Sequence, residues 1–304
     1  MKPSHNFLML LLAAAVLACA SSPMAAPRPQ PAYISVTDLA TPVDAALAAQ
    51  AKGRRVMVVF DIDNTLLTLP QDLGSDTWFN WQGTRDSSEA GFQALLVNNS
   101  ALLQLTTMTP TQPDAAAQVK RLQAAGIAVY ALSARGSDLR GATETALKAN
   151  DIDLSAAPEC GPPLCVRRGN LTDAEIRQAA KKARITVQAK PYRPVTVSDG
   201  VMMLSGQNKG VMLGLLLKSL KGRGYDDIYF VDDTFQNIRN VQGAAPEIKP
   251  EIHPYSYERL WPETAAFMAD PARQAKTDTD LKAVRDSLCE AIRAVLCASP
   301  LSGE

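Results

Sequence analysis

The sequence predicts an α/β fold in which a Rossmann-like parallel sheet carries helices on both faces. Short apolar runs of strand length alternate with segments of helical periodicity along the chain. Three of those runs, at 55–60, 127–132 and 227–231, are nearly continuously apolar, as strands buried on both faces are. Of the 304 residues, 46% are hydrophobic, which is enough for a sizeable core.

The remaining elements follow from turn and cap signals. A fourth strand is predicted at 248–253, and Asp199-Gly200 predicts a type I′ turn between short strands at 195–198 and 201–204. Gly126 closes one helix, and Thr172-x-x-Glu175 opens another as a capping box. The predicted helices span 43–52, 113–125, 137–150, 172–184, 211–220, 235–241 and 278–295.

The N-terminus predicts a secretory signal over residues 1–20, followed by a Pro/Ala/Ser-rich linker over 21–32. Lys2 precedes an apolar run at 7–20 that is too short to span a bilayer comfortably. Cleavage after Ala20 fits an Ala-x-Ala pattern, while lipidation at Cys19 and retention of the segment in the fold are the alternatives. We therefore expect an exported protein without a transmembrane span, periplasmic or secreted, or lipid-anchored in the envelope at Cys19.

Export changes the interpretation of the cysteines. Four remain after Cys19, namely Cys160, Cys165, Cys289 and Cys297. An oxidising compartment favours disulfides over a metal–thiolate site, which is the alternative. Four cysteines allow three complete pairings, and the sequence does not choose among them.

Charge and histidine content exclude several function classes. Lys plus Arg and Asp plus Glu both number 31, so the formal net charge is zero and no electrostatic footprint for nucleic acid is present. His5 and His253 are the only two histidines. A His-rich zinc site, a His-based acid phosphatase and a Ser-His-Asp hydrolase are therefore not expected.

Polar side chains follow three of the predicted strands, and a lysine opens a helix before the third. These residues are Asp61, Asp63 and Thr65 after the first strand, Ser133 after the second, Lys209 at the helix, and Asp232 and Asp233 after the third. Ligands bind open α/β sheets beyond the carboxyl ends of the strands. Several carboxylates gathered there suit Mg²⁺, and a carboxylate beside a metal ion can act as a nucleophile.

This ordered set resembles the four motifs of the haloacid-dehalogenase superfamily of phosphotransferases, over roughly residues 40–255. The segments 60–67 and 73–82 look like one bacterial branch of that superfamily, catalogued as a domain of unknown function. The resemblance implies a haloacid-dehalogenase-like core over 33–270, with two small cap insertions at about 68–105 and 156–206, and a helical extension at 271–304.

The resemblance also implies catalytic roles. Asp61 would attack phosphorus, and Asp63 would protonate the leaving group and then activate water. Ser133 and Lys209 would bind the phosphoryl oxygens, and Thr65 would steady the loop. The structural alternatives are that Asp61 and Asp63 form only a strand-end turn, that Ser133 caps a helix, and that Lys209 is a solvated surface residue.

Metal binding is implied for Asp61, for Asp63 through its backbone carbonyl, and for Asp232 and Asp233, with Mg²⁺ as the cofactor. Asp232 would ligate the ion directly and Asp233 would support it. Capping of the following helix is the alternative for Asp233.

The insertions are expected to determine the substrate. Asp76, Trp78 and Trp81 in the first insertion, and Arg135 beside Ser133, are candidate substrate contacts. Packing of the cap is the alternative for the tryptophans, and an ordinary ion pair is the alternative for Arg135.

The function expected from this resemblance is a Mg²⁺-dependent phosphomonoester hydrolase that forms an aspartyl-phosphate intermediate. Its substrate would be a phosphorylated small molecule or a phosphoprotein. The alternatives are an inactive binding protein with the same fold and another aspartate-nucleophile hydrolase, such as a dehalogenase. The second carboxylate of the first motif disfavours dehalogenation, because its task is to protonate a leaving oxygen.

Overall fold

The computed structural model describes residues 31–158, 161, 173–182, 195–220 and 224–292. A seven-stranded, mostly parallel sheet is flanked by helices, which confirms the predicted Rossmann-like α/β fold class. The signal segment at 1–20 and most of the linker lie outside the described residues, so export and lipid anchoring stay predictions.

The strands of the described chain are β1 (Ile34–Val36), β2 (Val56–Phe60), β3 (Leu67–Thr68), β4 (Thr109–Pro110), β5 (Ala128–Ser133), β6 (Thr196–Ser198), β7 (Val201–Met203), β8 (Asp227–Asp232) and β9 (Glu251–Tyr257). The helices are α1 (Ala40–Ala51), α2 (Asp76–Arg85), α3 (Glu89–Leu105), α4 (Ala115–Ala124), α5 (Arg140–Ala149), α6 (Asp173–Lys182), α7 (Lys209–Ser219), α8 (Phe235–Ala244), α9 (Trp261–Met268) and α10 (Pro271–Ile292). The described residues also form 3₁₀ turns at Ser137–Leu139 and Ala245–Glu247.

The central sheet has the strand order β1-β9-β8-β2-β5-β7-β6. All neighbouring strands are parallel except β6, which runs antiparallel to β7 at one edge. The three strands predicted to be buried on both faces, β8, β2 and β5, are neighbours in the middle. Their carboxyl ends therefore meet at one place on the sheet edge.

The core has one layer on each face of the sheet, because successive side chains of a strand point to opposite faces. On β2, Val58 and Phe60 pack in a cluster with residues of α1 and α4, such as Val43 and Val119. Met57 on the same strand packs in a second cluster with α7 and α8. This two-sided burial explains why the strand sequences are apolar throughout.

The predicted hairpin is present at the sheet edge. Asp199 and Gly200 have φ values of 48° and 74°, as a type I′ turn between β6 and β7 requires. The neighbouring helix α6 packs on α7 through Ile176 and Ala180, which belong to the core. The described parts of the insertion predicted at about 156–206 thus contribute a helix to the core layer of α7 and a hairpin to the sheet edge. At its end, Ser205 and Gly206 hydrogen-bond to the loop after β5.

The first insertion contains two helices that the sequence analysis did not predict. α2 and α3 lie between β3 and β4, which pair as a separate two-stranded ribbon beside the strand ends. These helices pack against the C-terminal part of the chain, where Trp78 and Phe267 share a third apolar cluster. Arg85 pairs with Asp278 of α10 at 2.8 Å and adds a polar contact between the same two regions.

The fourth predicted strand is displaced along the chain, since β9 spans Glu251–Tyr257 rather than 248–253. Pro254 lies inside this strand, although proline cannot donate to a ladder. In the structure the short edge partner β1 begins at Ile34, opposite Tyr255, so Pro254 lies just before the part of β9 that β1 pairs with.

Two further predictions concern membranes and disulfides. In the described part of the chain, every helix is too short or too polar to cross a bilayer. Cys289 lies on α10, while Cys160, Cys165 and Cys297 lie outside the described residues, so the disulfide pattern stays a prediction.

Candidate functional site

The candidate site lies where β8, β2 and β5 end. Asp61 follows β2, Asp232 is the last residue of β8, and Ser133 is the last residue of β5. The backbone N–H of Asp61 donates to the carbonyl of Val231 at 2.8 Å, which continues the ladder between β2 and β8 past its last pair. The topology thus brings together acids that are about 170 residues apart in the chain.

The loop after β2 is a compact turn. Asn64 has a φ of 56°, in the left-handed region that asparagine tolerates better than most residues. The carbonyl of Ile62 accepts hydrogen bonds from the backbone N–H groups of Leu66 and Leu67. Thr65 Oγ1 accepts a hydrogen bond from the backbone N–H of Asp233 at 3.1 Å, so this threonine links the loops that follow β2 and β8.

Lys209 lies between two carboxylates. Its Nζ is 2.6 Å from Asp61 Oδ1 and 2.6 Å from Asp232 Oδ2, and its side chain is only 1% exposed. Burial acts to lower the pKa of Lys209, but the charges of Asp232 and Asp61 outweigh it and the pKa is raised. The ammonium group therefore stays protonated, and the alternative of a solvated surface lysine is wrong.

The start of α7 fixes the position of Lys209. Asn208 is the N-cap, and its side chain accepts a hydrogen bond from the backbone N–H of Val211 at 3.0 Å. At Gly210 a Cβ atom would lie 2.1 Å from the carbonyl oxygen of Asn240 on α8. Glycine at this position therefore permits the close approach of the two helices that holds Lys209 at the strand ends.

Asp232 is held by donors on both of its oxygens. Besides Lys209, the backbone N–H of Thr234 and the side-chain amide of Asn237 donate to its Oδ1 at 2.9 and 3.0 Å. Sequence reasoning missed Asn237, although its place in the first turn of the helix after the paired acids could have indicated it. Thr234 is the N-cap residue of that helix, so the structure does not place Asp233 at the cap.

Asp63 is engaged by Arg135 through two parallel hydrogen bonds. Arg135 Nε donates to Asp63 Oδ2 at 2.9 Å, and the terminal nitrogen Nη2 donates to Oδ1 at 2.7 Å. Arg135 also donates to Thr143 Oγ1 at 2.9 Å, and its side chain is nearly buried. Arg135 therefore forms an ion pair that orients Asp63, in the two-point geometry typical of arginine and carboxylate.

Asp61, Asp232 and Asp233 could together hold a metal ion, since one carboxylate oxygen from each lies within 4.8 Å of the others. The carboxylate of Asp63 is not part of this group and is paired with Arg135 instead. Ser133 is fully buried on the neighbouring strand, and its Oγ accepts a hydrogen bond from the backbone N–H of Arg135 at 3.2 Å.

The electrostatics of the site show an excess of negative charge. Burial, and next the negative charges of Asp232 and Asp63, raise the pKa of Asp61 well above its usual range, although Lys209 opposes this. Burial and the charges of Asp76 and Asp232 do the same for the pKa of Asp233. Five acids therefore face two cations: Asp61, Asp63, Asp76, Asp232 and Asp233 against Lys209 and Arg135. Carboxylates in such excess fit a hard divalent cation.

Asp76 belongs to the same electrostatic neighbourhood. It lies in the first turn of α2, where Ser75 is the N-cap and accepts from the backbone N–H of Trp78 at 3.1 Å. Burial and the negative charge of Asp63 raise the pKa of Asp76 to about 7. The structure thus brings this predicted residue of the cap close to the acids of the strand ends.

The two tryptophans of the cap are packing residues, which corrects their prediction as substrate contacts. Trp78 is fully buried in the third apolar cluster. Trp81 meets Phe267 edge to face at 5.6 Å, and the guanidinium of Arg85 lies 4.7 Å from its ring centre. Neither tryptophan lines the cavity beside the site. Both instead pack in one cluster with Phe267 of α9 and with residues of α10.

That cavity has a volume of about 380 Å³ and lies between the cap helices and the loop after β5. Asp63, Asp76 and Arg135 line it, so it adjoins the carboxylates. Sequence reasoning missed Phe79, the residues of α3 and those of the loop that follows Arg135. From α2 and α3 the lining includes Phe79, Phe92, Leu96, Asn99, Ser100 and Leu103, and from the 3₁₀ turn after β5 it includes Asp138.

A second acidic group lies at the opposite edge of the sheet, where Asp227, Glu251 and His253 approach one another. Arg54 pairs with Asp227 and with Glu251, so this group has its own counter-charge. His253 stacks on Tyr229 with ring centres 4.6 Å apart, as expected for a packing histidine.

Comparison with known proteins places most of the chain in one family model. The model described as "Protein of unknown function (DUF2608)" matches residues 37–266. This span contains every site residue described above. A search of curated proteins finds no match to the chain.

Proposed function

The chain belongs to the DUF2608 family, whose description assigns no reaction, and from the site we propose that it is a Mg²⁺-dependent phosphomonoester hydrolase of the haloacid-dehalogenase type. The observation that carries this proposal is the buried Lys209, which bridges Asp61 at the end of one strand and Asp232 at the end of its neighbour. The contact brings together residues of three of the four motifs on which the resemblance is based, and this supports the proposal.

In the first half of the reaction, Asp61 is the nucleophile. Lys209 holds its Oδ1, and the other carboxylate oxygen forms a bond to phosphorus while the ester P–O bond breaks. Ser133 Oγ accepts from the backbone of Arg135, so its hydroxyl proton remains available to donate to a phosphoryl oxygen. Lys209 lies beside the attacking group and offsets the charge that builds up there.

Asp63 moves the protons in both halves. In its protonated form, with one of the two hydrogen bonds to Arg135 released, Asp63 gives a proton to the leaving oxygen in the first step. It regains a proton from the water that attacks phosphorus in the second step, which restores the acid for the next turnover. The second attack breaks the bond between phosphorus and Asp61 and releases inorganic phosphate. Arg135 is a positioning residue in this scheme, because its two hydrogen bonds fix the direction in which Asp63 presents its oxygens.

The residues that would hold Mg²⁺ are Asp61, Asp232 and Asp233, whose oxygens converge within 4.8 Å. When bound, the ion supplies positive charge that offsets the clustered carboxylates and the phosphoryl oxygens.

Hydrolysis of p-nitrophenyl phosphate with and without Mg²⁺ tests the proposal. We expect activity to be lost in EDTA and restored by Mg²⁺. Because a ligand that binds only the folded state stabilises it, Mg²⁺ should also raise Tm, and Asp232→Asn should abolish that rise. Asp286→Asn makes the same change at an exposed acid of α10 and is the matched control. This variant should retain the rise in Tm. Full activity of the metal-free protein, or a Tm that Mg²⁺ does not change, would contradict the proposal.

Arg135→Lys tests the positioning role. Lysine keeps the charge but loses the two-point contact to Asp63, so we expect kcat to fall about 10–100-fold while KM for p-nitrophenyl phosphate changes little. The loss of kcat should be larger for alkyl than for aryl phosphates. An alkoxide is more basic than a phenolate and therefore depends more on the proton that Asp63 donates as it leaves. Arg140→Lys removes contacts to Glu144 and Thr196 and should leave kcat unchanged. Equal losses for both substrate types would indicate a merely structural role.

A further inference from the structure

We infer that Trp261 is a positioning residue of the candidate metal site, whose indole N–H holds the backbone of Asp233 and so directs the carboxylate that Asp233 offers to Mg²⁺. This role rests on the proposed function and adds to the site a residue from outside the four motifs. Trp261 is the first residue of α9, and its Nε1 donates to the carbonyl oxygen of Asp233 at 3.0 Å.

Asp233 depends on side chains for the position of its backbone. Its neighbour Asp232 is the last residue of β8 and is still paired in the sheet, with Ser256 of β9. Asp233 lies beyond this ladder. Its backbone N–H donates to Thr65 Oγ1 at 3.1 Å, and its carbonyl accepts from Trp261. Because the peptide groups on both sides of a Cα atom set the direction of the Cα–Cβ bond, these two contacts determine how the side chain of Asp233 leaves the backbone.

The helix that carries Trp261 is itself fixed against the cap. Phe267 of α9 is 1% exposed and belongs to the third apolar cluster. Thr264, one turn after Trp261, has its Oγ1 2.9 Å from Oγ1 of Thr77 on α2. The indole N–H is therefore presented to the loop after β8 from an element with little freedom to move.

The segment before α9 supports the second anchor of Asp233 as well. Arg259 Nε donates to the carbonyl of Thr111 at 3.0 Å, and Thr111 Oγ1 donates to the carbonyl of Thr65 at 2.5 Å. Thr65 is the residue that accepts from the backbone N–H of Asp233. Residues 259–261 thus hold both peptide groups of Asp233, one directly and the other through two intermediate contacts.

The exposure of Trp261 makes its role accessible to substitution. Trp261 is 41% exposed, whereas Trp78 in the third apolar cluster is fully buried. Hydrophobic stabilisation scales with the apolar area removed from water, so a partly exposed ring contributes less to it than a buried one. Replacement of the Trp261 ring should therefore leave the protein folded and its metal binding measurable.

Isothermal titration calorimetry of Mg²⁺ binding to Trp261→Phe tests the positioning role. Phenylalanine keeps an aromatic ring and removes the donor. We expect the Kd for Mg²⁺ to rise about three- to tenfold, the factor that the loss of one hydrogen bond corresponds to. The kcat for p-nitrophenyl phosphate at saturating Mg²⁺ should change less than about twofold, because Trp261 does not touch the reacting atoms. Trp81→Phe makes the same change in the cap and should leave the Kd for Mg²⁺ at its wild-type value.

A second variant separates the donor from the shape of the ring. Benzothienylalanine at position 261 replaces the indole N–H with sulfur and keeps the two fused rings, so it should raise the Kd for Mg²⁺ as Trp261→Phe does. An unchanged Kd in both variants, or an equal rise in Trp81→Phe, overturns the positioning role and leaves the phosphatase function standing.

The wild-type protein distinguishes the remaining outcomes. Binding of Mg²⁺ without hydrolysis of p-nitrophenyl phosphate overturns the phosphatase function, while a raised Kd in the two variants still supports the role of Trp261. Wild-type protein that binds no Mg²⁺ overturns both.

Discussion

Asp61→Asn is expected to abolish turnover of every phosphomonoester, whereas Asp63→Asn is expected to lose activity according to the leaving group. Lys209 holds the carboxylate of Asp61 at the end of β2. Both halves of the proposed reaction need this carboxylate, because it forms and then releases the bond to phosphorus. An amide oxygen at this position is a poor nucleophile, so the aspartyl-phosphate does not form.

Asp63 contributes as a proton donor and later as a base. General acid catalysis typically contributes about 10²–10⁴-fold, so Asp63→Asn should lose about that factor on alkyl phosphates. A nitrophenolate leaves with little help, so the first step with p-nitrophenyl phosphate should be affected less. Water attack still needs the base, and phospho-enzyme should accumulate, which a burst of one nitrophenolate per active site would reveal. Wild-type turnover of alkyl phosphates by Asp63→Asn would show that the assignment is wrong.

Lys209→Met is expected to impair both folding and activity. The substitution leaves Asp61 and Asp232 buried without their shared cation, and breaking a buried ion pair in this way costs about 3–5 kcal/mol. The free energy of unfolding in denaturant, measured without metal ion, gives this loss directly. Turnover should vanish as well, because the charge beside the nucleophile is gone.

Two further variants serve as controls for Lys209→Met. Lys218→Met makes the same change at an exposed position of α7 and should alter the free energy of unfolding by less than about 0.5 kcal/mol. Adding Asp232→Asn to Lys209→Met removes one uncompensated carboxylate and should recover part of the stability but none of the activity. Strictly additive losses in the double variant would argue against a buried network.

The strand ends of the site could be predicted from the sequence because each depends on a local pattern. β2, β5 and β8 are apolar runs that end in polar residues, and the parallel connection of buried strands places those ends together. The hairpin of β6 and β7 could be predicted for the same reason, since Asp199-Gly200 fits only a few turn types. These features need no knowledge of distant contacts.

The cap could not be predicted in the same way. Its helices bury their apolar residues against α9 and α10, nearly two hundred residues away, so the sequence of the cap alone does not show which face is covered. Trp78 looked like a ligand contact for that reason, although its ring fills the interface with the C-terminal helices. Asn237 and the partners of Arg135 were missed because each depends on tertiary contact rather than on spacing.

Mass spectrometry of the acid-quenched Asp63→Asn variant after exposure to p-nitrophenyl phosphate tests the central claim most directly. We predict that one phosphoryl group is found on the side chain of Asp61, and that it is absent when Asp61→Asn is treated in the same way. Hydroxylamine, which cleaves acyl phosphates, should remove it. An unmodified Asp61 in enzyme that releases nitrophenolate, or a phosphoryl group on another residue, would contradict the assignment of Asp61 as the nucleophile.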